Sequence, residues 1–117
     1  MSRRTDRVSD LLRAELSELL LREVHDPRVK LASVTEVTVT PDLRRAVVKV
    51  SALGNDQQRQ ETIAGLRHAR GFLRTELAHR LRLRSTPELV FELDRGAELS
   101  QQMSDLLESL HGRDESS

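Results

Sequence analysis

Arginine is the residue type in this chain whose spacing most clearly suggests a chemical role. Arg67, Arg70 and Arg74 occupy positions i, i+3 and i+7, a spacing that places side chains on one face of a helix. They belong to residues 59–84, where seven arginines and two acidic residues give a charge of +5. The other arginines there are Arg59, Arg80, Arg82 and Arg84. Because a guanidinium group offers paired N–H donors that fit phosphate, the pattern predicts contacts to successive phosphates of a nucleic acid.

The net charge of the whole chain does not reveal this basic segment. The 117 residues hold 19 basic and 19 acidic side chains, and a net charge of zero argues at first against a nucleic-acid partner. Counted in pieces, the chain carries +1 over 1–30, 0 over 31–58, +5 over 59–84 and −6 over 85–117. Such segregation suits an oriented complex in which the acidic last third faces away from the nucleic acid. The alternative is a solvated basic helix followed by a solubilising acidic tail.

Catalysis and metal binding have little support. Cysteine is absent, which excludes thiol catalysis, thiolate metal sites and disulfides, and makes a reducing compartment the natural location. The sequence has no phosphate-binding loop and no serine-centred nucleophile motif, and its histidines lack metal-ligand spacing. The histidines are His25, His68, His79 and His111. We therefore expect no enzymatic activity, no metal and no cofactor.

Two further absences narrow the class. Phe72 and Phe91 are the only aromatic residues, which argues against the modules that stack bases on aromatic side chains. No apolar run is long enough to cross a membrane, and the N-terminus does not lead into an apolar signal core. We expect a cytoplasmic monomer with no membrane partner.

Apolar periodicity predicts the helices. Residues 5–24 form an amphipathic pattern with Thr5 as the N-cap and a stop at Asp26-Pro27. Residues 57–83 are predicted to be helical after a cap at Asn55-Asp56, and Gly71 in the middle predicts a kink or a break. A last apolar stripe predicts a short helix at about 98–111, before a polar tail at 112–117. The stripe comprises Leu99, Met103, Leu106, Leu107 and Leu110.

Strands are predicted between these helices. Two β-branched runs, 32–40 and 46–51, flank a turn at Pro41-Asp42 and predict an antiparallel hairpin. Residues 89–93 predict a third strand, which returns to the same sheet after the long helical crossover. The expected fold is therefore α+β, a two-layer sandwich with the helices on one face of a three-stranded sheet. Residues 1–111 would form this single domain.

Four sequence patterns, in the right order and at compatible spacing, resemble the ribosome-binding factor A family, and the element order resembles the type II KH fold. The patterns are LLREVHDPR at 20–28, PDLR at 41–44, ARGFLR at 69–74 and LRLRSTPEL at 81–89. The Gly-x-x-Gly loop of ordinary KH modules is missing, and the resemblance accounts for this, because an Ala-x-Gly kink replaces the loop in that family. Ala69, Arg70 and Gly71 match the kink. The short acidic C-terminal end differs from the longer charged tail of some relatives.

The resemblance implies a non-enzymatic maturation factor of the small (30S) ribosomal subunit. Such factors bind 16S rRNA near its 5′ end and neck, assist rRNA processing and late assembly, act alongside assembly GTPases, and matter most for growth in the cold. On this basis we expect rRNA contacts from Arg67, Arg70, Arg74, Arg80 and Arg84. Additional contacts are expected from Arg3, Arg4, Arg7, Arg44, Arg45 and His68.

Less specific interpretations stay open. Glu76 could pair with Arg80, while Arg59 and Arg82 could be solvated side chains without a role. The whole chain could be a generic RNA or duplex binder, or a protein-binding adaptor that uses its C-terminal apolar stripe, with no tie to the ribosome.

Overall fold

The protein is described here by a computed structural model that covers residues 3–96 and 102–110. Its elements follow the order helix, strand, strand, helix, helix, strand. They are α1 (Arg3–Arg22), a 3₁₀ helix (Pro27–Val29), β1 (Ala32–Val39), β2 (Arg45–Ala52), α2 (Asp56–His68), α3 (Arg70–Leu81) and β3 (Glu88–Leu93). Residues 102–110 are also helical, as the apolar stripe predicts, whereas Leu99 lies outside the described residues, as does the tail at 112–117.

The three strands form one sheet in the order β1-β2-β3. The β1–β2 hairpin is antiparallel, and β3 pairs with β2 in parallel after the crossover through α2 and α3. The predicted α+β sandwich, with its returning third strand, is confirmed.

Alternation along the strands separates a core face from an open face. Val48 and Val50 of β2 are fully buried, as are Leu16 of α1 and Leu73 of α3, so the core lies between the sheet and the helices. Residues of the intervening register positions form the open face. Those on that face include Glu36, Thr38, Arg45, Lys49, Glu88 and Glu92.

A β-bulge interrupts β1. The register shifts between Val34 and Glu36, so Thr35 is the additional residue. The Thr35 hydroxyl donates to an Asp94 carboxylate oxygen at 2.6 Å, and this hydrogen bond, together with one from the Gly96 amide, lowers the pKa of Asp94. The contact ties β1 to the residue that follows β3.

The predicted ends of the first helix are wrong. Helix α1 begins at Arg3, so Thr5 is not a cap; it lies inside the helix and is buried. The helix also ends earlier, at Arg22, and the amides of Glu23 and Val24 both donate to the Leu19 carbonyl. Pro27 starts the 3₁₀ helix, where Asp26 is the N-cap.

The cap of α2 is confirmed, and it is reciprocal. The Asn55 side chain accepts from the Gln58 amide at 2.8 Å, and the Gln58 side chain accepts from the Asn55 amide at 2.8 Å. The predicted break also exists and lies at Ala69, the first residue of the predicted Ala69-Arg70-Gly71 kink. Gly71 belongs to the first turn of α3, and a Cβ atom added there would meet nothing within 4 Å.

Candidate nucleic-acid interface

The candidate site lies around the break between α2 and α3. Ala69 has φ −82° and ψ 0°, its amide donates to the Gly65 carbonyl, and its own carbonyl accepts from the Leu73 amide, each at 3.0 Å. No side chain caps the start of α3. The N-terminal end of a helix carries a partial positive charge. The arginines beside this turn add to that charge, so the local electric field favours an anion.

Gly65 fixes the direction in which α2 enters the break. It is buried, and a Cβ atom there would lie 3.2 Å from Cβ of Arg28 and 3.3 Å from Cγ2 of Val29. The 3₁₀ helix therefore packs against the backbone of α2 at a distance that favours glycine.

Asp26 and Arg28 hold that 3₁₀ helix in shape. The Arg28 guanidinium donates to both carboxylate oxygens of Asp26, through Nε at 3.1 Å and a terminal nitrogen at 2.7 Å, and the Arg28 amide donates at 2.9 Å. These bonds lower the pKa of Asp26 from 3.8 to about 2. The HDPR part of the family pattern thus shapes the 3₁₀ helix that packs against α2 at Gly65.

Arg70 is the first residue of α3 and is half-buried. Within residues 3–96 and 102–110, its Nε is the only buried side-chain nitrogen or oxygen that lacks a hydrogen-bond partner. Leaving a buried donor unsatisfied costs about 1–3 kcal/mol, so a ligand that moves the Arg70 side chain enough to give this N–H an acceptor would recover that free energy.

Arg67 and Arg74 lie on the two sides of the break, Arg67 on α2 and Arg74 on α3. Arg67 is exposed at a shallow hollow lined by Phe91 and Leu93, near the C-terminal end of β3. Arg74 donates to the Thr86 carbonyl at 3.0 Å, just before the N-terminal end of β3. The two arginines are thus spread along edge strand β3, and Arg74 bonds to a neutral group that leaves its charge uncompensated.

Arg80 is in a different environment from the arginines at the break. Its guanidinium lies 3.3 Å from Glu15, 4.0 Å from Glu18, 3.8 Å from Glu23 and 3.8 Å from Glu76. The pairing with Glu76 was predicted, whereas the three glutamates of α1 and its end were not. Four carboxylates surround this one cation, so the arrangement gives no support to the prediction that Arg80 contacts rRNA.

The remaining predicted contacts occupy several places. Arg44 and Arg84 are exposed, and so is Arg82, which was expected to be solvated and which ends α3 with a left-handed φ of 51°. Arg45 lies 4.0 Å from Glu88. Arg4 and Arg7 are exposed in the first turns of α1, His68 is exposed at the end of α2, and the side chain of Arg3 lies outside the described part. The solvated reading of Arg59 is wrong, because its guanidinium donates to Asp56 at 3.1 Å and Nε to the Ala52 carbonyl at 3.4 Å.

Sequence reasoning missed Phe72. It was expected to have no part in stacking, yet it is 45% exposed in the first turn of α3, two residues from Arg70 and Arg74. Phe91, in contrast, is buried in the core. The only available signal was the position of Phe72 directly after the Ala-x-Gly kink. We call Arg67, His68, Arg70, Phe72 and Arg74 the break surface.

The described residues contain no group of three or more His, Asp or Glu side chains that could hold a metal ion. None of the helices within 3–96 and 102–110 is long and apolar enough to span a membrane.

Comparison with known proteins identifies the family. The protein-family model for ribosome-binding factor A matches residues 4–107. The chain belongs to the ribosome-binding factor A family. A relative named ribosome-binding factor A from Solibacter usitatus is 49% identical over 105 residues, covering 90% of this chain and 85% of the relative. One from Caldanaerobacter subterraneus subsp. tengcongensis is 41% identical over 112 residues, covering 95% and 92%.

Solved structures of ribosome-binding factor A share the fold. The NMR structure of a putative ribosome-binding factor A from Thermotoga maritima has a TM-score of 0.72 at 36% identity, covering 82% of this chain and 92% of that one. A Thermus thermophilus ribosome-binding factor A, as a homology model fitted into a cryo-EM map of a 30S complex, has a TM-score of 0.55 at 31% identity, covering 72% and 92%.

Proposed function

We propose that this chain is a non-enzymatic maturation factor that binds the small ribosomal subunit through its break surface. The observation that carries the proposal is Arg70, whose buried Nε has no acceptor among the described residues and lies at the break that replaces the KH loop. The related Thermus thermophilus protein is described in a complex with the 30S subunit, which supports the same partner here.

The break surface would bind mainly through phosphates. Arg70 and Arg74 place two guanidinium groups along the first turns of α3. Arg67 and the exposed Arg84 would extend the contact along β3 and the loop before it. Phe72 would stack on an unpaired base. This contact would favour single-stranded RNA, whereas contacts to phosphates do not distinguish paired from unpaired nucleotides.

The open face of the sheet is suited to face away from the nucleic acid. It carries Glu36, Glu88 and Glu92 on the side of the sheet opposite the helices, against Arg45, 4.0 Å from Glu88, and Lys49, 3.7 Å from Glu36, so this face has a small negative charge that disfavours phosphate. The separation of the two faces would orient the protein on its target.

The finer parts of the proposal are supported by the family resemblance. They are binding to 16S rRNA near its 5′ end and neck, assistance to rRNA processing and late assembly, action as a cytoplasmic monomer alongside assembly GTPases, and a larger role in the cold. Binding at a terminus that is still being processed would require a protein that leaves once the subunit is mature.

Cosedimentation tests this function. Purified protein should travel with free small subunits and largely not with assembled ribosomes. If four arginines contact phosphates, the logarithm of the association constant should fall with the logarithm of salt concentration at a slope of about −3. Equal binding to bulk duplex DNA would favour a generic nucleic-acid binder and would contradict the proposal.

A protein-binding adaptor is the second candidate, favoured by the helical stripe at 102–110. Its apolar residues are about half exposed: Met103, Leu106, Leu107 and Leu110. An adaptor of this kind would bind a protein partner with little dependence on salt, and substitutions at the break surface would leave that binding unchanged.

A further inference from the structure

The outer edge of the sheet, far along the strand order from the break surface, carries a groove that the proposed rRNA contact does not use. β1 is the end strand of the sheet, with β2 on one side only. Two hollows of about 500 Å³ each lie between α1 and β1. One is lined by residues of α1 from Thr5 to Arg13 and by residues 35–39 of β1. The other is lined by residues of α1 from Ser17 to Leu21, by residues of the segment 24–30, and by residues 32–34 of β1.

The two hollows form one groove along the edge of β1. From the first hollow to the second, the residue numbers on α1 rise and those on β1 fall. The helix and the strand therefore run in opposite directions, and the two hollows lie end to end. Five consecutive residues, 35–39, line one hollow. Side chains of neighbouring strand residues point to opposite faces of the sheet, so a hollow that contacts all five must lie along the edge of the strand. β1 has eight residues, about 26 Å, which is the length of an extended peptide of similar size.

The backbone in this groove offers hydrogen-bonding groups. The Thr40 amide donates to the Arg45 carbonyl at 2.9 Å, so Thr40 faces β2. Because hydrogen-bonded and non-hydrogen-bonded pairs alternate in an antiparallel ladder, Val37 and Val39 direct their amides and carbonyls away from β2, toward the groove. An added strand would pair with these groups.

The lining changes in chemistry from one end to the other. At the end beside residues 35–39, the exposed acidic side chains are Asp6, Asp10 and Glu36, against one base, Arg13. Glu36 lies 3.7 Å from Lys49, so the two aspartates carry most of this charge. At the other end the lining is mixed. Leu20, Val24 and Val34 are apolar, as is Leu21 at 80% exposure, and beside them lie the exposed basic side chains of His25 and Lys30.

From these features we propose that the groove binds an extended peptide segment of a partner protein as a fourth strand, with basic side chains at the acidic end and apolar side chains at the other. A second copy of this chain fits less well. Its β1 would carry the same bulge at Thr35, which interrupts long pairing.

The closing experiment uses the full chain and peptides of about ten residues that tile the proteins of the small ribosomal subunit. The choice of this peptide set rests on the proposed function. We expect binding by tiles that combine an apolar end with a basic end. In the tightest complex, hydrogen exchange at the amides of Val37 and Val39 should slow by about tenfold or more, because new hydrogen bonds cover them.

Charge variants localise the peptide. Asp10→Lys should weaken the best tile by about tenfold. Glu61→Lys makes the same change of charge on α2, outside the groove, and should leave the affinity unchanged. Equal effects of the two variants would overturn the proposal, because they would indicate a general charge effect.

The outcomes separate the groove from the proposed function. Cosedimentation with small subunits but no binding by any tile overturns the groove alone. Tiles that bind with the expected protection, in a protein that does not cosediment, support the groove and overturn the ribosomal function. Protection of Val37 and Val39 that grows with protein concentration, without peptide, identifies a second copy as the occupant and overturns the proposal, as does protection by 16S rRNA.

Discussion

Arg70 and Arg80 stand at the two ends of the same helix, and their surroundings differ in nearly every respect. Arg80 has four glutamates within 4.0 Å, three of them supplied by α1 and the residue just after it. Arg70 has a buried Nε without any partner among the described residues. Arg28, held by Asp26, resembles Arg80 in this respect. A count of basic residues therefore overstates the positive charge that α3 offers to a ligand, because part of it is already neutralised inside the protein.

The largest effect should come from reversing charge at the break. Arg70→Glu combined with Arg74→Glu should weaken small-subunit binding by at least about a hundredfold, since two charge-assisted contacts become repulsive. The slope of binding against salt should also become shallower by about two. Cosedimentation over a salt series measures both quantities.

A charge reversal elsewhere gives the control for that variant. Arg22 is an exposed arginine of α1 with a single 4.0 Å ion pair to Glu18, so Arg22→Glu should bind almost normally. Circular dichroism establishes that each variant is folded. Full binding by a folded double variant would remove the break surface from the site.

Phe72→Ala should weaken binding by about tenfold, because a base stacked on an aromatic ring contributes about 1–3 kcal/mol. Its effect on stability should be small, since the ring is 45% exposed. Leu53→Ala, at a residue 67% exposed and remote from the break, removes exposed apolar surface without a proposed contact. Similar affinities for the two variants would show that Phe72 does not touch the ligand.

Arg80→Met should lower stability and leave binding unchanged, whereas the variants at the break should lower binding. Removing the cation leaves four glutamates close together, and because the Arg80 side chain is 28% exposed the free energy of unfolding should fall by only about 1–2 kcal/mol. Binding by the folded protein should be unchanged. Urea denaturation gives the first quantity and cosedimentation the second; a loss of binding without a loss of stability would make Arg80 a contact.

Gly71→Ala separates the backbone from the side chains at the break. The free energy of unfolding should rise by about 0.5–1 kcal/mol, since alanine is the better helix former and nothing within 4 Å opposes its Cβ. If rRNA approaches the first turn of α3 closely, binding should fall several-fold in the more stable protein. Unchanged binding would indicate that the ligand keeps its distance from this turn.

The smallest effect concerns the other neutralised arginine. The pKa of Asp26 is lowered to about 2, so its ion pair stabilises the fold above pH 3.8 and is lost as the pH falls through about 2. Asp26→Asn should therefore be less stable than the unmodified protein at pH 5, and the difference should shrink between pH 4 and pH 2. Thermal unfolding at several pH values measures it, and a constant difference would show that the carboxylate charge is not involved.

Predictions from the sequence succeeded where the cause was local. The Asn55 cap is three residues from its partner, and the hairpin turn and the alternating strands depend on neighbours. The start of α1 was missed because Thr5 is buried by tertiary packing. The break falls at Ala69, the first residue of the predicted kink motif, and Gly71, whose cost in a helix suggested the break, lies inside α3.

The same distinction applies to the site. Glu76 is four residues from Arg80, and its pairing was predictable; Glu15 is 65 residues away, and only the folded chain brings it there. The exposure of Phe72 likewise depends on which face of α3 packs on the sheet. Arg70 was identified through its helical spacing and the family pattern, but the unsatisfied Nε that distinguishes it is a property of the fold.

The parallel pairing of β3 with β2 has a consequence for how the chain reaches its native state. Glu88 pairs with Arg45, and 43 residues of sequence separate them, whereas the β1–β2 hairpin closes over a short turn. Contacts so distant in sequence form slowly, because the intervening chain must be ordered before they contribute. During synthesis the hairpin and both crossover helices emerge first, with the places of Leu89 and Phe91 in the core still unfilled. Docking of β3 is then the step that completes the core of the domain, since it brings Leu89 and Phe91 into place.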